Sequence, residues 1–232
     1  MKRIVFALVL SVFLAACGAS ADPALQGRIA GYFGNSSATS FSASGKFLKP
    51  MPYAVGQYVM TGVVNDGKRS ISKMSIVGQE QGGWIIEVYS LTESDEAWTQ
   101  MLVKGLEQAS ERGSVDDIDI VWVKTKQKDG AVQRIDGPVL SITRGIYRGA
   151  LGGFKVSVAT PVDGGTVSVP AGIFSGTMKT SSESSFLGRS YKSDGWFHGD
   201  VPINGMVKSV SVESNMTIEL LEFGRSGAVR SF

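Results

Sequence analysis

The chain has 232 residues, with 23 Lys and Arg against 21 Asp and Glu, a single cysteine and a single histidine. So even a charge balance offers no basic field for nucleic acid or an anionic lipid surface, one cysteine excludes an intramolecular disulfide, and one Cys with one His is too small a set to close a tetrahedral zinc site. The length suits one domain of the larger all-β kind, with a sizeable core.

At the N-terminus, Lys2 and Arg3 precede an apolar run from Ile4 to Leu10 that continues through Ser11 to Ala16. This is the layout of an export signal, and it is too short to stay in a bilayer as a spanning helix. The run closes in Leu14-Ala15-Ala16-Cys17-Gly18. That ending resembles the lipobox of bacterial lipoproteins: an aliphatic residue, two small ones, then the cysteine whose thiol receives diacylglycerol. The resemblance implies that residues 1–16 are a signal peptide and that Cys17 is the lipid attachment site. Losing Lys2 and Arg3 with the leader leaves 21 basic and 21 acidic residues. Each buried methylene adds about 0.8 kcal/mol of membrane affinity, so two or three acyl chains anchor the domain to the membrane essentially permanently. By the same resemblance, Gly18 rather than aspartate after the cysteine points to the outer membrane, on the periplasmic face ahead of the cell surface.

Residues 17–52 read as the lipidated N-terminus, a short helix and a linker, and 53–232 as a single β-rich domain. Asp22-Pro23 pairs an N-cap with a first-turn proline, and Leu25, Ile29, Tyr32 and Phe33 follow at helical spacing. Gly34 to Pro52, rich in Ser, Gly and Pro, reads as irregular connection. Short β-rich runs follow: Gln57 to Asn65, the Asp66-Gly67 turn, Ser70 to Gly78, a Gly82-Gly83 turn, and Trp84 to Leu91. Ser94 to Ala109 fits a capped helix or a strand from Ala97 to Lys104 with a short helix after it; the strand is preferred. Ile118 to Thr125 and Ala131 to Asp136 make a hairpin. Pro138 to Leu151 reads as a helix with Val139, Ile142, Ile146 and Ala150 on one face. Phe154 to Ala159, Thr166 to Val169, Ile173 to Ser181, Ser190 to Phe197, Met206 to Glu213 and Met216 to Phe223 complete an antiparallel β protein.

Trp84, Ile86 and Val88 alternate with Ile85, Glu87 and Tyr89, and Ile120, Trp122 and Lys124 with Val121, Val123 and Thr125, so several strands are apolar on both faces. With little helix to cover a broad sheet, the sheet must curl, stack, or leave an apolar concave surface.

The segments Val167-Ser168-Val169-Pro170-Ala171-Gly172-Ile173-Phe174, Asp194-Gly195-Trp196-Phe197, Asp200-Val201-Pro202-Ile203-Asn204-Gly205-Met206-Val207-Lys208 and Glu222-Phe223-Gly224 resemble a group of bacterial envelope proteins distantly similar to the LolA/LolB-like lipoprotein carriers. Gly56-Gln57-Tyr58 and Ser75-Ile76-Val77-Gly78 fit the same group, so the resemblance runs from Gly56 to Gly224. It implies a mainly β fold, a strongly bent antiparallel sheet forming a half-open barrel with a few short helices on its concave side, and an apolar cavity able to take acyl chains.

Catalytic patterns are absent: there is no Gly-x-Ser-x-Gly, no His-Glu-x-x-His and no Walker glycine loop. His198, in Trp196-Phe197-His198-Gly199-Asp200, reads as a strand-end residue with a structural hydrogen bond. Asp194, Asp200 and Asn204 match no calcium-loop spacing, so no metal or cofactor is expected, and an enzyme is not. The candidate ligand-contacting residues are Trp84, Trp98, Trp122, Met60 and Met101, whose alternative role is plain packing. Two functions stand: an anchored envelope protein binding a lipid or other apolar ligand in the concave face, or an accessory subunit of an envelope assembly with a protein partner and no small ligand.

Overall fold

The computed structural model describes residues 21–43, 50–112, 117–151, 162–186, 189–211 and 213–232. Cys17 and the predicted strand Phe154 to Ala159 lie outside them. The described elements, in chain order, are α1 (Pro23–Gly34), β1 (Ser40–Ser42), β2 (Tyr58–Asn65), β3 (Lys68–Glu80), β4 (Gly83–Leu91), β5 (Glu96–Lys104), α2 (Leu106–Arg112), β6 (Asp119–Gln127), β7 (Gln133–Ile135), α3 (Gly137–Ala150), β8 (Val162–Val169), β9 (Gly172–Phe186), β10 (Arg189–Phe197), β11 (Met206–Ser211) and β12 (Met216–Gly224). The strands form one sheet in the order β1-β9-β10-β11-β12-β2-β3-β4-β5-β6-β7, with β8 also on β9. Every ladder is antiparallel except the parallel one between β1 and β9. The mainly β fold is as expected, and so is the strand expected from Ala97 to Lys104, which is β5 with one residue more at its start and the short α2 after it.

The sheet is bent and does not close into a barrel. In a flat sheet the β8–β9 turn would sit three strand spacings from β12, about 14 Å. Instead the Ala171 amide donates to Leu220 O at 3.1 Å, and β8 touches both β11 and β12. Bulges at Ile76/Gly78, Leu102/Val103, Trp196/Phe197 and Leu220/Glu222 add the local coiling that this curl requires.

Both faces are covered. Inside, Ile76, Ile86, Met101, Ile120, Val123, Phe174, Val207 and Leu220 pack with Leu106 of α2 and Leu140 of α3. Outside, α1 lays Leu25 and Ile29 over Met60, Ile71, Leu91 and Leu221. Beside it, the C-terminal residues cross the same face: Ala228 packs on the cluster of Val77, Ile85, Leu102 and Trp122. Ser231 donates from its amide and its hydroxyl to the buried Glu87, and Gln100 Nε2 donates both to Glu87 and to Phe232 O.

Four local expectations change. Gly34 to Pro52 was expected to be irregular, yet it contributes β1, too short to show a sequence period; it exists through pairing with β9 and stacking of Phe41 on Phe174. The β3–β4 turn is centred on Gln81 and Gly82, both at positive φ, one residue earlier than expected. Gly83 belongs to the strand, where a Cβ would lie 2.7 Å from Val103 O. Ile120 and Trp122 were placed on one face, but the bulge that pairs Leu102 with Trp122 and Val103 with Ile120 turns Ile120 inward and Trp122 outward. Finally, α3 buries Leu140, Tyr147 packs on the inner cluster, and Val139 and Ile142 are 58% and 85% exposed, the reverse of the expected roll. The ion pair of Arg144 with Asp119 and the bond from Arg148 Nε to Ile118 O pin that roll against β6.

A charged clasp fixes α1. The Asp22 side chain caps the helix by accepting from the Ala24 amide, and its own amide donates to Glu93 O. Arg28 makes a fork of two 2.7 Å bonds to the buried Glu96 carboxylate, which also accepts from Tyr89 OH at 2.8 Å. The guanidinium holds the Glu96 carboxyl below its ordinary range, and burial, with the Glu96 bond behind it, pushes the Tyr89 phenol up. Arg28→Met leaves Glu96 without its principal partner and is expected to cost about 1–3 kcal/mol in urea denaturation at neutral pH. Because the folded carboxyl titrates below its unfolded value, its stabilisation is complete above the usual carboxylate range and drains away as pH falls through the folded value. The gap between wild type and variant should therefore close in acid, and a gap that persists there would contradict the clasp. A Cβ on Gly62 would meet Phe33 Cζ at 2.6 Å. Gly62→Ala is expected to cost about 1–3 kcal/mol by overpacking, largely recovered in combination with Phe33→Leu.

Candidate functional site

The five predicted ligand-contacting residues do not surround one space. Met101 is fully buried in the inner cluster, and Trp84 packs at its margin with Nε1 donating to Glu107 at 2.6 Å. Met60 lies under α1, Trp122 in the outer cluster with Ala228, and Trp98 on the outer face against the Tyr89 ring at 5.2 Å. Lys124 and Arg134 stand over Trp122, and Lys126 over Trp98. All five have packing roles.

An open depression of about 690 Å³ lies instead where the curled β8–β9 hairpin meets the end of β12. Phe41, Ala171 and Phe223 form its apolar floor, with Asp200 and Arg225 as a charged pair at its rim. The floor rests on Phe174: Phe41 stacks on it at 4.7 Å and 15°, and the Phe223 ring lies 5.2 Å from Phe41 and 5.9 Å from Phe174. Beside the rim, Tyr58 OH donates to Glu222 at 2.6 Å; burial, with Glu222 adding to it, pushes that phenol up to about 12.

The loop carrying Asp200 is held from within. His198 has no exposed surface and its ring meets Phe174 edge-on at 5.3 Å. The Asp200 amide donates to Nδ1 at 3.2 Å, so Nδ1 is the acceptor; this assigns the proton to Nε2, which faces Ser175 O at 3.2 Å. Both ring nitrogens are thus engaged by backbone. Val201 and Ile203 are fully buried, and Asn204 Oδ1 accepts from the Met206 amide. Ile203 is held at φ 67, a left-handed conformation that costs a β-branched residue of order 1–3 kcal/mol and survives only where packing over-determines it. The arrangement is a rigid, aromatic-floored recess with one polar side, able to receive an apolar group whose polar end points to Arg225.

Sequence reasoning placed none of the recess residues in a site. Phe41 lies in the stretch read as a linker, and Asp200 comes from a loop separate from the Phe223-Gly224-Arg225 segment, so only the folded sheet brings the three together. The Asp200-Val201-Pro202-Ile203-Asn204-Gly205 stretch, dense in Pro, Asn and Gly, is the pointer in the sequence to a constrained loop beside the recess.

No family model matches the chain, and no curated protein matches it. Among solved structures it is similar to a Bacteroides fragilis protein assigned as exported, with a YmcC-like fold: 12% identity, covering 77% of this chain and 100% of that one, at a TM-score of 0.32. That is a distant likeness of architecture, and nothing about function passes through it.

His198→Ala removes the partners of the Ser175 carbonyl and the Asp200 amide at a fully buried position, so a loss of about 2–4 kcal/mol is expected in chemical denaturation. Hydrogen exchange should quicken at the Asp200 amide. Unchanged protection there would show that the ring does not hold the loop.

Proposed function

We propose that the chain is a lipoprotein of the bacterial cell envelope, released from its leader after Ala16 and held by acyl chains on Cys17 to the periplasmic face of the outer membrane, where it serves as an accessory subunit of a protein assembly. The export-signal layout ending in Leu14-Ala15-Ala16-Cys17 supports the anchor. For the accessory role, the carrying observation is that the concave side of the sheet is occupied by the protein's own Phe174, Met101, Leu106 and Leu220, all fully buried. A domain whose inner face is filled recognises its partners with its outer surfaces and loops. The fold alone does not choose a function.

One observation favours a second reading, an apolar or lipid ligand: the recess over Phe41 and Phe223 with Arg225 at its rim. Such a ligand would lie on the surface recess, outside the filled interior.

Intact-mass analysis of detergent-extracted protein should show a polypeptide beginning at an acylated Cys17; a free thiol or a retained leader would overturn the anchor. A photo-crosslinking residue placed at Arg225 in living cells is expected to capture one constant protein partner. A solitary monomer that carries co-purifying lipid in native mass spectrometry, lost in a Phe223→Asp variant, would reverse the order of the two readings.

A further inference from the structure

The placement of α1 sets how the domain stands on a membrane. Four hairpin turns share one end of the sheet: Asp66-Gly67, Thr92 to Asp95, Lys128 to Val132, and Glu213 to Asn215. The ladders fix this, since Asn65 pairs with Lys68 and Met216, Leu91 with Glu96, and Ala97 with Gln127. Bonds between turns confirm it: Asn215 Nδ2 to Asp66, the Arg69 amide to Glu93, and the Lys128 amide to Glu96 O. The start of α1 is tied to the same end, because the Asp22 amide donates to Glu93 O at 2.8 Å.

From Cys17 to Asp22 there are only five Cα–Cα steps, so the tether reaches at most about 19 Å. The opposite end of the sheet carries the Gln81-Gly82 turn, and at roughly 3.3 Å per residue along β4 it lies about 35 Å from Glu93. A bilayer that holds Cys17 therefore lies within about 19 Å of the start of α1 at the near end, and the far end stands clear of it when the strands run away from the membrane plane. The recess belongs to that far end, because Gly224, which helps line it, pairs with Tyr58 at the opposite end of β12 from Met216.

We propose that the end bearing these four turns rests against the bilayer that holds Cys17, and that the opposite end, with the recess at Phe41, Phe223 and Arg225, points away into the aqueous compartment. This rests on the lipoprotein reading above. The surface is suited to the headgroup layer and not to the acyl region. Its turns mix Lys68, Arg69 and Lys128 with Asp66, Glu93, Asp95 and Asp129, and Val132, 46% exposed, is the one large apolar side chain shown on them among the described residues. With charges of both signs, contact is held by the tether and not by attraction to anionic lipid.

The test uses the acylated mature protein in phosphatidylethanolamine/phosphatidylglycerol vesicles. With Cys17 acylated, an introduced cysteine is the sole reactive thiol. Lys68→Cys and Asp129→Cys at the near end and Glu80→Cys at the far end, all exposed positions, are labelled with a fluorophore and quenched by headgroup-nitroxide lipid. Several-fold stronger quenching at 68 and 129 than at 80 is expected. Equal quenching, or more at 80, in protein that floats with the vesicles overturns the orientation while leaving the anchor intact. Protein that does not float overturns the anchor, and the orientation with it.

Discussion

A broad sheet with apolar residues on both faces must cover both, and the described residues include three short helices with which to do it. Everything else follows from how that shortage is met. Inside, the sheet covers itself: the β8–β9 hairpin folds across β11 and β12, tied by Ala171 to Leu220, and α2 and α3 complete the cover. Outside, α1 and the C-terminal residues divide the surface between them. The curl is thus the means by which Phe174, Val207 and Leu220 leave water, and burying such side chains is the dominant favourable term in folding.

The same solution decides where recognition can occur. A bent sheet of this kind invites a ligand into its concavity, but here the described residues fill that volume by packing, and an open recess lies instead at the seam where the hairpin tip meets β12. Its floor is the outer layer of the aromatic cluster whose innermost ring, Phe174, is fully buried, so the recess inherits the rigidity of the core. Asp200 reaches the rim from a loop that His198 and Asn204 hold by backbone hydrogen bonds. The recess and the loop beside it thus sit at the margin of a packed body, outside its filled concave side.

The sheet was largely legible in the residues. Alternation at Trp84 to Tyr89 and the Asp66-Gly67 turn both carry over directly, and of the two patterns that fit Ser94 to Ala109 the strand from Ala97 to Lys104 with a short helix after it is the one the fold adopts. The failures have physical causes. A bulge at β6 inverts the phase after Ile120, and a bulge leaves no mark in hydrophobic pattern alone. In α3, Leu140 and Tyr147 form a second apolar row, and only the ionic contacts to β6 choose which row faces in. Phe41 and Phe223 meet through pairing between distant segments, so no local reading could join them. The same holds for Glu87 and Gln100, whose buried polar groups take their partners from the end of the chain.

The ladder between β2 and β12 joins residues far apart in the polypeptide, with Tyr58 beside Gly224 and Asn65 beside Met216. It stands in the middle of the strand order, so the two halves of the sheet cannot be united until β12 is in place. A polypeptide wired this way defers its most distant contacts, and folding dominated by such contacts is slow. Until that ladder forms, β2 and β12 each leave one row of backbone donors and acceptors unpaired, so the interval before the halves join is also the interval in which each half is open to pairing with another chain.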